Sequence, residues 1–300
     1  MADKPKIRTF SQLLDYNWID AFFQQIAESE HYVHLIDLPF RMTSTWQERG
    51  CELSFWEQDG KAVAWAVFQP AWQNLDYFIA PAAYSSSLEE AILEWGKTEI
   101  QAYAERMNEP VCGYVELFED APNAKQVVAN LHEYGFVAAD EYTLRFRREV
   151  PQTSPRYPLP EGFSIRPSLD SETVSYRRLV DVVFSPRWMT DSWRMRLLQH
   201  PSYVQDLDLV AVSPEDELVG FCSGWQRADV GQIEPLGVHP DYQGKGLGRA
   251  LEAAMFDAMQ RRNVSSVYVD HGSGNEKAIA LSQKAGFRHY RTILRFHLTV

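Results

Sequence analysis

The chain has 300 residues, 45% of them apolar and 13% aromatic, which is enough for a sizeable core shared between about two domains. Charged residues make up 23%, which excludes a low-complexity disordered chain. The longest unbroken apolar run, Ala62 to Phe68, is too short for the roughly 20 residues of a membrane helix. The formal charge of −12 sits in one half: residues 1–150 hold 12 Lys and Arg against 24 Asp and Glu, whereas residues 151–300 hold 17 of each. An acidic chain is a poor partner for nucleic acid, and the neutral second half is the better place for an anionic ligand.

The opening Met1-Ala2-Asp3-Lys4-Pro5 has no apolar signal region, and Cys51, Cys112 and Cys222 lack metal or CxxC spacing. They read as buried thiols of a cytoplasmic protein with no metal and no membrane association. In chain order, Lys6-Ile7-Arg8 precedes a helical pattern from Leu13 to Ile26, and Lys61 to Phe68 reads as a strand after a polar turn. A strand ends at Ile79-Ala80-Pro81, just before Tyr84 and a helix, and Tyr134-Gly135-Phe136 is followed by Leu144-Arg145-Phe146. Four prolines between Pro151 and Pro160 stop helix and strand alike, so residues 151–161 read as a stiff linker.

The second half repeats these landmarks in order, about 150–160 residues on. Ser164-Ile165-Arg166 precedes a helix ending near Phe184, and a second helix covers Asp191–Leu198. Asp208–Val212 and Leu218–Trp225 are strands around a Pro214-Glu215-Asp216 turn, and Gln232–Val238 is another. Val238-His239-Pro240 and Tyr242 match Ile79-Ala80-Pro81 and Tyr84. Gly246–Arg261 is a helix with Leu247, Leu251, Ala254, Met255 and Ala258 on one face. Val264–Asp270 is a strand, Asn275–Ala285 a helix stopped by Gly286, and Arg291–Val300 a closing strand with Leu294-Arg295-Phe296. Five ordered matches predict a duplicated α/β (α+β) domain, each copy a mixed, mostly antiparallel sheet flanked by helices: residues 1–150, linker 151–161, and 162–300.

The segment Gln243-Gly244-Lys245-Gly246-Leu247-Gly248-Arg249 lies between a strand and a strong helix. Alternate glycines let main-chain amides turn inward, the helix start favours negative charge, and Lys245 and Arg249 add cations, so the loop is suited to a pyrophosphate. A P-loop fails because Gly246 follows Lys245 where Ser or Thr is required. A dinucleotide fold fits poorly, since His239 to Gln243 separate the strand from the first glycine and the pattern is GxGxG.

Gln243-Gly244-Lys245-Gly246-Leu247-Gly248, with Gly237-Val238-His239-Pro240 before it and Asn275-Glu276-Lys277-Ala278-Ile279-Ala280-Leu281 and Gly286-Phe287 after it, resembles the cofactor motifs of the GNAT-type N-acetyltransferases, over roughly residues 218–300. The resemblance, together with the weaker repeat, implies a tandem-domain member using acetyl-CoA as co-substrate and acetylating the amine of a small molecule, as a monomer or homodimer. It implies that Leu236, Gly237 and Val238 offer main-chain groups to the pantetheine arm, that residues 243–249 hold the pyrophosphate, and that Asn275 and Ala278 complete the cofactor site. Asn275 also suits a helix N-cap.

The first half has Tyr84-Ser85-Ser86-Ser87-Leu88-Glu89 at the loop position, without glycines or cations, and reads as a copy that lost the cofactor. Pro235 and Gly237 are unusual in a central strand and predict a bulge or an unpaired edge. Glu234 is the expected general base, placed by period two on one face with Gln232 and Leu236. Gln232, His271 or a water are alternatives. Where many members carry a tyrosine as the acid, this chain has Ser282, which leaves Tyr290 as a substitute and the acid open. Trp225, Gln226 and Arg227 are candidates for the acceptor wall, or Trp225 for the core. A decayed coenzyme A-binding module and, further off, a dinucleotide-dependent oxidoreductase are the competing readings.

Overall fold

In the computed structural model of the chain, structure is described for residues 6–10, 32–151, 153, 157–184 and 189–300. The helical pattern expected from Leu13 to Ile26 lies outside these residues, as does part of the linker. The described linker residues, 151, 153 and 157–161, carry neither helix nor strand.

The first half contributes strands β1 (Lys6–Phe10), β2 (Leu53–Gln58), β3 (Lys61–Gln69), β4 (Asn74–Ile79), β5 (Cys112–Phe118), β6 (Val137–Ala138) and β7 (Thr143–Glu149). Its helices are α1 (Leu38–Met42), α2 (Ser86–Met107) and α3 (Ala124–Glu133). The second half adds β8 (Ser164–Pro167), helices α4 (Thr173–Val183) and α5 (Asp191–Leu198), then β9 (Asp208–Val212), β10 (Leu218–Arg227) and β11 (Val230–Val238). Helix α6 (Leu247–Arg261), β12 (Ser266–Gly272), α7 (Glu276–Lys284) and β13 (Arg288–Thr299) complete it.

Local chemistry accounts for these elements. The β2–β3 hairpin turns through Asp59-Gly60, both at positive φ (51° and 74°), the two-residue loop whose twist matches paired strands. Helix α6 buries Leu247, Ala250, Leu251, Met255, Ala258 and Met259, the stripe expected of a helix on a sheet. It can lie close because β10 has Gly224 beneath it, where a Cβ would stand 2.6 Å from the Met255 sulfur.

All described strands join one sheet, in the order β1-β2-β3-β4-β5-β13-β7-β12-β11-β10-β9-β8, with β6 on β13. Neighbours are antiparallel except β4–β5 and β11–β12, so the order reads alike from either edge. The two halves exchange their closing strands: β7, from the first half, pairs with β12, and β13, from the second, pairs with β5. Phe296 and Leu298 of β13 are accordingly buried in the core of the first half with Leu131 and Phe136. A third core joins Ile36 and Phe40 of the first half to Tyr176, Trp193, Phe221 and Trp225 of the second. Replacing Phe296 by Ala should cost about 3–5 kcal/mol. Hydrogen exchange should then quicken in the first half, at residues 112–118, more than in β9 and β10; the reverse order would contradict the exchange.

Candidate active site

The parallel strands β11 and β12 are paired at three positions, Val230 with Ser266, Gly231 with Val267 and Gln232 with Tyr268. β11 then continues to Val238 and β12 to Gly272 without ladder partners between them, so the sheet opens as a wedge. Leu236, Gly237 and Val238 stand on its β11 wall, where main-chain groups facing β12 have no ladder partner, although the Val238 carbonyl accepts from the Gln243 side chain.

The expected irregularity is a bulge. Cys222 pairs with Leu236 and Gly224 with Ile233, so Glu234 and Pro235, joined by a cis peptide bond, both stand opposite Ser223. The bulge reverses the side-chain alternation. Gln232 shares a face with its partner Trp225, whereas Leu236 and Val238 pack on the opposite face with Leu247 and Leu251. The expectation that Gln232, Glu234 and Leu236 share one face therefore fails at Leu236, because an extra residue shifts the period of two.

Glu234 sits in the wedge beneath residues of the other half. It keeps some exposed surface, yet burial, with the negative charges of Asp37 and Asp270, raises its carboxyl to about 8 against the opposing pull of Arg41 and His34. Its main-chain carbonyl accepts a 2.7 Å hydrogen bond from the Trp225 indole, which is itself buried against Phe40 (ring centroids 5.6 Å apart). Trp225 thus belongs to the core and holds the bulge. Gln226 points away, bonded to Ala228 and Arg262 at the far end of the strand.

The first half contributes charged residues that the sequence had not singled out. Arg41 forms two hydrogen bonds to Asp76 (2.8 and 3.0 Å), and Arg145 forms two to Asp270 (2.8 and 2.6 Å) while also donating to the Val33 carbonyl. Burial opposes charge on His34, but the carboxylates of Asp37 and Glu116 outweigh it and raise the imidazole to about 9. Asp37 is 2% exposed, and its Oδ1 accepts no hydrogen bond among the described residues. Burial disfavours its charge, yet His34, Arg41 and Arg145 keep its carboxyl below the usual range. The spacing of His34, Asp37 and Arg41, three and four residues apart in an apolar stretch, was the available signal.

The glycine loop has the features of an anion site. Gly244 and Gly246 adopt φ of 77° and 87°, and a Cβ on either would meet nothing within 4 Å, so space lies open where a ligand would approach. Gly246 is the N-cap of α6 and provides no side-chain cap, which leaves the amides of Leu247, Gly248 and Arg249 pointing at that space. The Leu247 side chain is buried, so only its amide can take part. Lys245 lies over the Tyr242 ring at 4.6 Å, Arg249 is exposed, and the Gln243 side chain donates to the Val238 carbonyl at 3.1 Å. The α2 helix of the first half is built differently: the Ser85 hydroxyl accepts from the Leu88 amide at 3.2 Å, and Glu89 occupies its first turn.

Asn275 caps α7, its Oδ1 accepting from the Ala278 amide at 3.2 Å, which leaves the Asn275 side-chain amide for a ligand. His271 lies 2.7 Å from the Ser282 hydroxyl, packs on Phe146 and has its pKa lowered by burial. By strand alternation it faces away from Asp270 and hence from Glu234. Tyr290 stacks on Tyr268, the partner of Gln232, with ring centroids 5.4 Å apart.

Residues 174–287 match the sequence model of the Acetyltransferase (GNAT) family. The matched stretch lies within the second half of the chain. A mycothiol acetyltransferase of Salinispora arenicola is 30% identical over 160 residues, 49% of this chain and 51% of that protein, so this alignment spans about half the relative's length. A mycothiol acetyltransferase of Acidothermus cellulolyticus is 26% identical over 283 residues, 83% of this chain and 80% of that protein. Among solved structures, a tandem GNAT protein from the clavulanic acid biosynthesis pathway aligns with a TM-score of 0.66 at 13% identity over 98% of both chains. A GCN5-related N-acetyltransferase of Sphaerobacter thermophilus aligns with a TM-score of 0.62 at 20% identity, over 82% of this chain and 80% of that one. These two likenesses bear on the fold. The expected mixed, mostly antiparallel α/β architecture and its tandem GNAT character hold.

Proposed function

We propose that the chain is an N-acetyltransferase that moves the acetyl group of acetyl-CoA to the amine of a small molecule, with residues 162–300 as the catalytic unit and residues 1–150 closing the acceptor side. The observation carrying this reading is the uncapped, glycine-lined start of α6 beside the wedge that holds Glu234. Main-chain amides of Leu247, Gly248 and Arg249 would bind the diphosphate with help from Lys245 and Arg249, and the β11 wall from Leu236 to Val238 would align the pantetheine arm. An amide on that wall would stabilise the oxyanion as the amine attacks the thioester carbonyl.

An amine must lose a proton to attack, and Glu234, with its carboxyl raised to about 8, has the affinity to take it near neutral pH. The buried Asp37 supplies negative charge on the acceptor side, which favours a cationic amine. The names of the relatives make mycothiol-like acceptors the first to assay. The Ser282 hydroxyl, engaged by His271, supports a second reading, a decayed coenzyme A-binding module. Thiol release from acetyl-CoA across a panel of small amines separates the two. Amine-dependent release is expected; binding of acetyl-CoA without turnover on any amine would favour the decayed module.

A further inference from the structure

The first half has its own wedge. β4 and β5 pair at Asn74 and Tyr114 and then part, enclosing a cavity of about 280 Å³, near the lower end of ligand-pocket sizes. We propose that this cavity is a second binding site, built for a small organic cation with an apolar body and not for a phosphate-bearing cofactor. The inference stands apart from the acetyl-transfer reading, since it concerns the other cleft.

Leu75, Phe78, Ile79, Leu117 and Val127 give the cavity an apolar wall, and Asp76, Glu89 and Glu116 are its carboxylates. Two of the three carry their own cations. Asp76 is held by Arg41, and Glu116 by His34 at 2.9 Å with the Arg295 Nε also 2.9 Å away. Glu89 has none among the described residues. It is 1% exposed and accepts hydrogen bonds from Tyr77 (3.0 Å), Tyr84 (3.0 Å) and Asn130 (2.5 Å), all neutral donors.

A carboxylate offers about four acceptor positions, so one is left for a further N–H. A buried carboxylate lacking a countercharge is costly, and here burial raises its pKa. An ammonium group entering beside the tyrosine rings would supply the missing charge and gain cation–π contact. The Tyr32 hydroxyl, on the same wall, is also buried with no hydrogen-bond partner among the described residues. Anions are disfavoured, because Ser85 already caps α2 and Glu89 stands in the first turn where a phosphate would settle.

The test is calorimetric titration of the full chain, without acetyl-CoA, using 2-phenylethylamine, its neutral analogue 2-phenylethanol and the anion 3-phenylpropionate. The amine should bind, the alcohol at least about tenfold more weakly, and the carboxylate not measurably. E89Q should weaken the amine by about tenfold or more, and Y84F, at the rim, by a smaller factor, with both variants melting as the parent does. E234Q should bind the amine like the parent, which separates this cleft from the candidate active site. The proposal is overturned if the amine does not bind, if the alcohol or carboxylate binds equally well, if Y84F and E89Q both bind as the parent does, or if E234Q abolishes binding.

Discussion

Replacing Gly248 by Asp is expected to remove acetyl-CoA binding while leaving the fold intact. Gly248 has no left-handed φ to lose, and a Cβ there would touch only a Val238 methyl, at 3.8 Å. Aspartate in the first turn of a helix is favourable for the helix, so the melting temperature should not fall. A negative charge set against a diphosphate costs several kcal/mol, which corresponds to an affinity loss of at least about 100-fold. Gly246 is a less clean site, because its φ of 87° would strain any side chain and mix folding with binding. Calorimetry with acetyl-CoA on G248D, with G248A as the uncharged intermediate, reads the effect directly. Parent-like affinity in both variants would remove the loop from the cofactor site.

The second large effect is at Glu234. E234Q should lower kcat by roughly 100- to 10,000-fold with little change in acetyl-CoA affinity, the range expected when a general base is lost. With its carboxyl at about 8, only about one-tenth of Glu234 is ionised at pH 7. The parent rate should therefore rise with pH and level off above about 8, and E234Q should lose that rise. The same raised value fixes the sign for stability. A folded-state pKa above the unfolded one means that stability is lost as pH rises from the unfolded value through about 8. E234Q should thus gain in melting temperature relative to the parent as pH increases over that window. A flat parent rate profile from pH 6 to 9 would exclude Glu234 as the base.

Much of the fold was legible because it rests on local signals. The α6 stripe of Leu247, Leu251, Met255 and Ala258, the strand that follows the polar turn before Lys61 and the Gly286 stop each act within a few residues and came out as the sequence implied. The strand exchange was not legible. β7 and β13 both carry Leu-Arg-Phe, at 144–146 and 294–296, so either strand offers a plausible edge to β5 or β12. Side-chain period alone cannot choose between them.

The glycine loop was readable for the same local reason as α6. The face of Leu236 was not, since one extra residue at Glu234-Pro235 inverts everything after it. The charged residues over Glu234, namely His34, Asp37 and Arg41, come from about 200 residues earlier, a distance over which sequence pattern carries no contact information.

Of the two sister wedges, the one between β11 and β12 is expected to receive acetyl-CoA. A crystal structure of the chain with acetyl-CoA tests it most directly. The diphosphate is expected on the amides of residues 247–249 and the thioester beside Glu234. Acetyl-CoA bound instead between β4 and β5, with the β11–β12 wedge empty, would contradict it.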